Sequence, residues 1–461
     1  MLNRLLHPSR RSRLVACLVS AAAVCVVTAG PAMADLPDTP YPQLQLDHVM
    51  HTSPFQGSNV SMRDNEGSAY VPQDQALWLA DDDGRMLYEV DPFTGTLERT
   101  IGQDVLSTVR KYGGGPQAGT WRVRDLESLA YDAHTDTLYA FSGKCCTTSE
   151  LPTVFRLTRD KHGNFQPDSY QALPAGSDFT AAAWNPGDGN VYVGVNHDLQ
   201  TYTYATNTPG PVIQVPGLYN ILGMEFSSDG AHLYVVHSHT QLARVDWSTK
   251  TLSAGGWSWD LSSFGIADAR AVVLIDDKFW VCDGYDFRPA GDPLAHAVYV
   301  FDVTPAPPGY NIVGNPGFEQ NTDGWNPNHD PAVTLERVPG GHSGSWAARL
   351  SNTGTSPTTL TLNDHPNWVD VTAAGTYTVT AWVRSDTGQG NAFLRMREYQ
   401  GATKVATTQA SVPLTPSWQQ LTIQVVPTAP GTSSLDMDVY AFAAPAGTNL
   451  YIDDVAINYT P

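Results

Sequence analysis

The chain has 461 residues, with 46 acidic against 26 basic side chains and a formal net charge of −20. This length exceeds one ordinary core and predicts two or three domains, while the acidic balance excludes a nucleic-acid binder, which needs a basic surface. Only 16% of the residues are charged, and 39 glycines and 33 prolines interrupt the chain. This composition is typical of an all-β protein and excludes a helical bundle or a disordered chain.

Residues 1–34 have the features of a secretory signal peptide. Four arginines precede an apolar stretch over residues 14–27, and Ala32 to Ala34 form a small-residue cleavage site. The apolar stretch is too short for a membrane anchor. We therefore expect an extracellular protein with no membrane partner.

Three cysteines remain after the signal peptide, which is an odd number for an oxidising compartment. Cys145 and Cys146 are neighbours and are poorly placed to bridge each other, because the peptide between them would have to distort. The sequence favours a disulfide from Cys282 to one of them, with a three-thiolate metal site as the lesser alternative.

Residues 35–303 contain a repeat. Five segments begin with an Asp or Asn and continue into small and apolar residues, and a turn and a second apolar strand follow each one. These segments start at Asp64, Asp125, Asp178, Asn220 and Asp268, with spacings of 61, 53, 42 and 48 residues. Such a period fits one four-stranded antiparallel sheet per repeat, the blade of a β-propeller.

The repeats predict a five-bladed propeller, with six blades as the alternative because the longest spacings have room for a degenerate repeat. The last repeat ends near Val303, and an early strand over residues 43–50 is available to complete it. The blade pattern resembles NHL, YVTN and gluconolactonase-type propellers, and most closely secreted propellers such as the esterase-like phytase domains. That resemblance implies an architecture rather than one activity.

Two positions after each repeated Asp or Asn, the side chains differ between repeats. Glu66, Glu127 and Arg270 occupy this position in three of them, and Asp283 ends a second strand. The first strands of a propeller line its channel, so these groups should converge. Three interpretations remain open: turn caps formed by the repeated Asp and Asn, a calcium site centred on Glu66 and Glu127, or catalysis.

Histidines follow the second strands of two repeats. His237 and His239 are two residues apart, so a strand would place them on one face. Together with His197 they are candidates to bind a metal or substrate, although a histidine at a strand end more often has a structural hydrogen bond.

A proline-rich linker over residues 304–309 separates the repeats from residues 310–461, which show the period-two alternation of strands. Landmarks occur in the order NIVGNPGFE (Asn311–Glu319), GGHSGSWAARL (Gly340–Leu350), GTYTVTAWVRS (Gly375–Ser385) and YIDDVAI (Tyr451–Ile457). This segment resembles the carbohydrate-binding modules of families four, nine and twenty-two, which implies a β-jelly-roll sandwich. It also implies that Glu319 and Asp453 lie at a structural calcium site, with capping as the alternative.

Alternation assigns aromatic, arginine and acidic side chains of three strands to one outward face. We predict that this face binds sugar, because sugar C–H groups stack on aromatic rings and hydroxyls bond to Arg and Asp. Its predicted members are Trp382, Arg384, Phe393, Arg395, Arg397, Tyr399 and Tyr440. The alternative is that Trp382 and Phe393 pack under a loop or against the propeller.

The sequence thus predicts a secreted, monomeric protein that binds a polysaccharide or oligosaccharide, with a hydrolase or lyase active centre in the propeller. Tethering by the C-terminal module would raise the local substrate concentration. Two alternatives are a non-catalytic, lectin-like protein and a calcium-dependent esterase or phosphatase.

Overall fold

The protein is described by a computed structural model that covers residues 36, 38–143, 151–174, 177–253, 255–284, 292, 294–327 and 329–461. The predicted signal peptide, Cys145 and Cys146 lie outside these residues. Cys282 is a buried free thiol, whereas the sequence favoured a disulfide from it. Across the described ranges, no helix combines the length and apolar character needed to cross a bilayer.

The prediction of an all-β protein is confirmed. In the part of the chain that the structure describes, the helices are an α-helix over Gln103–Leu106 and two 3-10 turns, Thr120–Arg122 and Leu261–Phe264. Among the described residues, neighbouring strands within each sheet are antiparallel.

The N-terminal half forms five separate sheets. In chain order, the strands up to residue 195 are β1 (Gln43–Met50), β2 (Asn65–Val71), β3 (Ala76–Asp81), β4 (Met86–Asp91), β5 (Thr96–Gly102), β6 (Leu126–Asp132), β7 (Thr137–Ser142), β8 (Thr153–Arg159), β9 (Phe165–Ala172), β10 (Ala181–Trp184) and β11 (Val191–Val195). The others are β12 (Asp198–Thr203), β13 (Thr208–Pro209), β14 (Ile213–Gln214), β15 (Ile221–Phe226), β16 (His232–His237), β17 (Gln241–Asp246), β18 (Thr251–Leu252), β19 (Ser258–Asp260), β20 (Ala269–Ile275), β21 (Lys278–Asp283) and β22 (Val298–Thr304).

Each sheet contains one sequence repeat. Strands β2–β5, β6–β9, β10–β14 and β15–β19 form the first four sheets, and the fifth has the order β1-β22-β21-β20. Gln43 pairs with Thr304 and Met50 with Val298, so the prediction that residues 43–50 complete the last repeat is confirmed.

The five sheets contact one another in sequence order. The first strand of each sheet contacts the first strand of the next, and β20 of the fifth sheet contacts β2 of the first. A hydrophobic cluster fills each junction. The cluster between the fifth and first sheets, for example, packs Val273 and Trp280 with Leu77 and Leu79. Glycines on the first strands allow this close approach, since a Cβ on Gly67 would lie 2.7 Å from Ser128 Cα and one on Gly223 would lie 2.5 Å from Ala271 Cα.

The C-terminal part forms two five-stranded sheets around one core, which we call the C-terminal sandwich. Its strands are β23 (Trp325–Pro327), β24 (Val333–Pro339), β25 (Trp346–Asn352), β26 (Thr358–Asp364), β27 (Thr376–Ser385), β28 (Asn391–Gln400), β29 (Thr403–Pro413), β30 (Gln419–Val425), β31 (Ser434–Ala444) and β32 (Asn449–Thr460). One sheet has the order β23-β26-β31-β28-β29 and the other β24-β25-β32-β27-β30. The residues predicted to face inward, among them Val379, Met396 and Val439, are buried as expected.

Tyr41, which precedes β1, belongs to the core of the C-terminal sandwich. Its ring packs at 5.1 Å from that of Tyr459, and its hydroxyl lies 3.0 Å from the hydroxyl of Tyr377. Its backbone N–H donates to Gly255 O at 2.6 Å, in the fourth sheet's segment. One buried tyrosine therefore contacts both parts of the chain.

This contact predicts a graded loss of stability. Tyr41→Phe removes one hydrogen bond and should lower the free energy of unfolding by about 1 kcal/mol, whereas Tyr41→Ala also leaves a cavity and should lower it by about 3–5 kcal/mol. Urea unfolding followed by tryptophan fluorescence measures both values. Equal stability of the wild type and Tyr41→Ala would contradict this assignment.

Candidate functional site

β-bulges position the variable side chains of the first strands. In β2, β6, β15 and β20 the pairing register shifts by one residue at the same place. The extra residues are Glu66, Glu127, Leu222 and Arg270. A bulge turns its extra side chain out of the regular alternation, so all four can point toward the same region where the first strands meet.

Arg270 joins the fifth sheet to the first through ion pairs. Its Nη1 lies 3.0 Å from Glu66 Oε2, and its Nη2 lies 2.7 Å from Asp268 Oδ2. Asp268 is fully buried and Glu66 is 7% exposed. Buried charges of this kind require close partners, which Arg270 supplies to both carboxylates.

Asp268 also holds His239. Its Oδ1 lies 2.6 Å from His239 Nδ1, and His239 Nε2 lies 3.0 Å from Asn220 Nδ2. An amide N–H can only donate, so Nε2 accepts here and Nδ1 carries the proton toward Asp268. This is the arrangement of a histidine base oriented by a carboxylate.

Three carboxylates form a second cluster beside this network. Ligand oxygens of Asp125, Glu127 and Asp178 all lie within 4.8 Å of one another. Gly143 lies directly beside this cluster. A Cβ at this position would lie 2.3 Å from Asp178 Oδ1 and 2.8 Å from Asp125 Oδ2. The space next to these oxygens therefore excludes a side chain, and their chemistry suits a hard cation such as Ca²⁺.

Crowded carboxylates hold protons in this region. Burial raises the pKa of Glu66 and of Glu127 well above the usual range, and Glu127 is raised further by the charges of Glu66 and Asp125. Arg270 opposes the shift of Glu66. Burial and the charge of Asp125 raise the pKa of Asp82 to about 8. The centre can therefore supply a protonated carboxyl group near neutral pH, as a general acid requires.

The structure brings Glu66, Glu127, Arg270 and His239 together and gives the remaining candidates other roles. Asp283 Oδ1 accepts the backbone N–H of Asp268 at 3.0 Å, and this hydrogen bond helps to fix the position of Asp268 in the network.

His197 and His237 stand apart from the network formed by the described residues. His197 is exposed, 3.6 Å from Asp198, and His237 is buried with Nδ1 3.3 Å from Ser238 Oγ. The expectation that His237 and His239 share a strand face is wrong: β16 ends at His237, and His239 lies in the following turn with φ of 67°.

Sequence reasoning missed Asp268, Asp125 and Asp178 as members of the centre. The repetition of Asp and Asn favoured a turn-cap role for all five. For Asp268 and Asp125 the missed signal was their place directly before strands whose bulged residues, Arg270 and Glu127, are charged. Asp178 precedes β10, which has no bulge, and carried no such signal.

On the C-terminal sandwich, a stacked aromatic pair lies on the outer face of the β28–β31 sheet. The rings of Phe393 and Tyr440 are 4.8 Å apart with an interplanar angle of 10°, and Arg395 lies 4.7 Å above the Tyr440 ring. Both aromatic side chains are half-buried. A partly exposed stacked pair of this kind can support the apolar side of a sugar ring on a ring face or edge that its partner does not cover.

Arginine and aspartate side chains continue this face. Arg395 Nη2 lies 2.8 Å from Asp438, and Arg397 Nη2 lies 2.9 Å from Asp436 and 2.8 Å from Asp438. Arg397 also lies 6.0 Å above the Tyr399 ring. A cleft of about 290 Å³ runs beside them, lined in part by His329 and His365. Each arginine has an acidic partner, so the face offers polar groups without a net positive charge.

Trp382 and Arg384 do not belong to this face, and the expectation of one common face is wrong. Both lie on β27, which is in the opposite sheet, so their outward side chains leave the sandwich on the other side. Trp382 stacks against His342 with a ring separation of 3.7 Å, and Arg384 lies 3.8 Å above Tyr451. The alternation of side chains along β27 correctly predicted that Trp382 and Arg384 point outward. It could not predict which of the two sheets contains β27.

Glu319 and Asp453 hold the loop over residues 340–346. Glu319 accepts the backbone N–H groups of Ser345 and Trp346 at 2.9 and 3.1 Å, and Asp453 accepts that of His342 at 2.6 Å. Burial, and then the charge of Asp454, raises the pKa of Asp453 to about 6. These carboxylates have the chemistry to bind Ca²⁺, and they also perform the capping role that was the alternative.

Residues 310–446 match a protein family described as "Carbohydrate binding domain". The predicted resemblance of the C-terminal segment to modules of families four and nine is confirmed by this match. It covers the strands that form the stacked pair. No curated protein sequence matches the chain.

Solved structures similar to the chain include an arabinose-bound α-L-arabinofuranosidase, with 18% identity and a TM-score of 0.28 over 33% of this chain and 27% of that one. The xylan-binding domain CBM22-1 of Paenibacillus barcinonensis Xyn10C has 17% identity and a TM-score of 0.27, over 33% and 97%. A luciferin-regenerating enzyme has 12% identity and a TM-score of 0.36, over 57% and 95%. The chain thus spans about a quarter of the arabinofuranosidase.

The carboxylate cluster predicts a charge-dependent stability. At pH 8.5 with EDTA, Glu127→Gln should raise the melting temperature by about 2–4 °C, because it removes a carboxyl group whose charged form is disfavoured by burial and by the neighbouring carboxylates, with a free energy on the order of 1 kcal/mol. With 5 mM CaCl₂ the wild type should gain stability and the variant should gain less. Differential scanning fluorimetry measures both effects. A wild type that melts alike in EDTA and calcium would argue against a cation site.

Proposed function

We propose that this protein binds a neutral glycan through the outer face of the β28–β31 sheet. The observation that carries the proposal is the stacked pair of Phe393 and Tyr440 within a segment that matches a carbohydrate-binding family. Because Asp436 and Asp438 neutralise the neighbouring arginines, a neutral polysaccharide or oligosaccharide fits better than an acidic one.

We further propose that the five N-terminal sheets are the blades of a five-bladed β-propeller. The cyclic order of contacts between first strands, the five clusters at the junctions and the pairing of β1 with β22 support this architecture. Five sheets leave no unassigned repeat for a sixth blade within the described residues.

The centre formed by Glu66, Glu127, Arg270 and His239 is our candidate for catalysis, and hydrolysis suits it better than uronate elimination. A lyase must neutralise an acidic substrate, whereas here Arg270 is already paired with two carboxylates. Glycoside hydrolysis needs one protonated and one ionised carboxyl group. In this scheme Glu127 donates a proton to the leaving oxygen. Glu66 activates water in its ionised form, which the charge of Arg270 favours against the effect of burial.

Calcium, secretion and the monomeric state complete the proposal. In the second candidate function, Asp125, ionised Glu127 and Asp178 would hold one cation, and Glu127 would then not act as the acid. Glu319 with Asp453 would hold another cation. A cation at the first site would supply positive charge next to a substrate oxygen, and this is the feature that favours a calcium-dependent esterase or phosphatase as the second candidate. The signal-peptide pattern of residues 1–34 supports an extracellular location.

The binding face predicts a loss of glycan retention. Phe393→Ala and Tyr440→Ala should each weaken binding by at least about 1 kcal/mol, because each removes one ring of the stacked pair that anchors the ligand. Affinity electrophoresis in gels that contain neutral polysaccharides measures this loss. Trp382→Ala, on the opposite sheet, is the matched control and should migrate like the wild type; the reverse pattern would refute the face.

The proposed active centre predicts that catalysis and retention separate. Glu127→Gln and Glu66→Gln should each lower the release of reducing ends by at least about 100-fold, the range of one general acid or base, while glycan retention stays unchanged. Reducing-sugar assays on a panel of neutral polysaccharides measure turnover. A wild type that retains glycans but releases no reducing ends, with no turnover of ester substrates, would support a lectin-like protein.

A further inference from the structure

A cleft of about 380 Å³ lies where the N-terminal sheets meet the C-terminal sandwich. Three half-buried aromatic side chains line it: Trp259 of β19, Tyr310 and Trp368. Its volume falls within the range of about 300–1,000 Å³ that is typical of small-ligand sites. The cleft is distinct from the one beside Arg395 and Arg397, with which it shares no lining residue.

One hydrogen bond and one close backbone approach fix the shape of this cleft. Trp259 Nε1 donates to Pro42 O at 2.8 Å, which holds one aromatic wall against the segment that carries Tyr41. Gly256 has φ of 76°, and a Cβ there would lie 2.9 Å from Tyr41 Cδ1. A preformed cleft loses little conformational freedom when a ligand binds.

The polar groups of the cleft suit hydroxyl groups. Ser258 and Asn367 offer a hydroxyl and an amide, and Gln43 offers its amide oxygen, because its Nε2 already donates to Tyr41 O and Pro42 O. Asp370 is the one charged side chain among the described lining residues. A carboxylate can accept two hydroxyl hydrogen bonds but repels an anion. Aromatic walls with this polar set therefore fit a neutral sugar better than an acidic or phosphorylated one.

The cleft also continues the proposed binding face. His365 lines the cleft beside Arg395, and the next residue, Pro366, lines the cleft at the junction. One loop, residues 365–370, thus separates the two. A glycan chain that leaves the stacked pair can cross this loop and reach the second cleft.

We infer that the cleft lined by Trp259, Tyr310 and Trp368 is a second glycan subsite, which binds a unit of the same neutral chain that the Phe393–Tyr440 face holds. This inference rests on the proposed glycan binding. Sugar C–H groups would stack on Trp259 or Trp368, and hydroxyls would bond to Asp370 and Asn367.

The test is calorimetric titration of the full chain with cellohexaose and xylohexaose. Ser258→Trp fills the cleft and removes only the Ser258 hydroxyl from its lining, while Trp259, Trp368, Asn367 and Asp370 remain; it should weaken binding of the hexasaccharide at least fivefold. Asp370→Ala, at an exposed position, should weaken it at least threefold while leaving the fold intact. Ser61→Trp introduces the same ring at an exposed position outside the cleft and should bind like the wild type.

The outcomes separate the two claims. If Phe393→Ala weakens binding but Ser258→Trp and Asp370→Ala do not, the second subsite is overturned and the proposed function stands. If the wild type binds neither hexasaccharide, the proposal of a neutral glycan fails together with the subsite. Weakening by both cleft variants, with Ser61→Trp unchanged, supports the inference.

Discussion

The pairing of β1 with β22 is the interaction on which most other features depend. It joins residues 43–50 to residues 298–304, from opposite ends of the repeat region. The fifth sheet is thereby completed and contacts the first, and this contact brings Arg270 within 3.0 Å of Glu66. Without it, a buried carboxylate would lose its cationic partner, which is a costly arrangement inside a protein.

The same pairing has a second consequence at the other end of β1. Because β1 begins at Gln43 beside Thr304, the residues that precede it reach the C-terminal sandwich. Tyr41 then enters the sandwich core, and Pro42 accepts the hydrogen bond of Trp259. The centre of the N-terminal sheets and the aromatic cleft therefore both follow from one strand pairing.

Charge distribution distinguishes the two proposed sites. The N-terminal centre contains several buried carboxylates and one guanidinium. Burial and the neighbouring carboxylates raise the pKa values of Glu66 and Glu127, so these groups favour the binding of protons or of a cation. The C-terminal face pairs each arginine with an aspartate and adds exposed ring area. Proton transfer suits the first environment, and sugar stacking with hydroxyl recognition suits the second.

The sequence by itself determined the all-β class, the strand 43–50 that completes the last repeat, and the inward alternation of β27, β28 and β31. These properties are local, since they depend on periods of two residues and on a repeat length. Only the tertiary structure placed β27 in the opposite sheet from β28, moved His239 into a turn, and joined Arg270 to Glu66. Such facts depend on which strands become neighbours and where a bulge falls, and a single sequence carries no direct record of either.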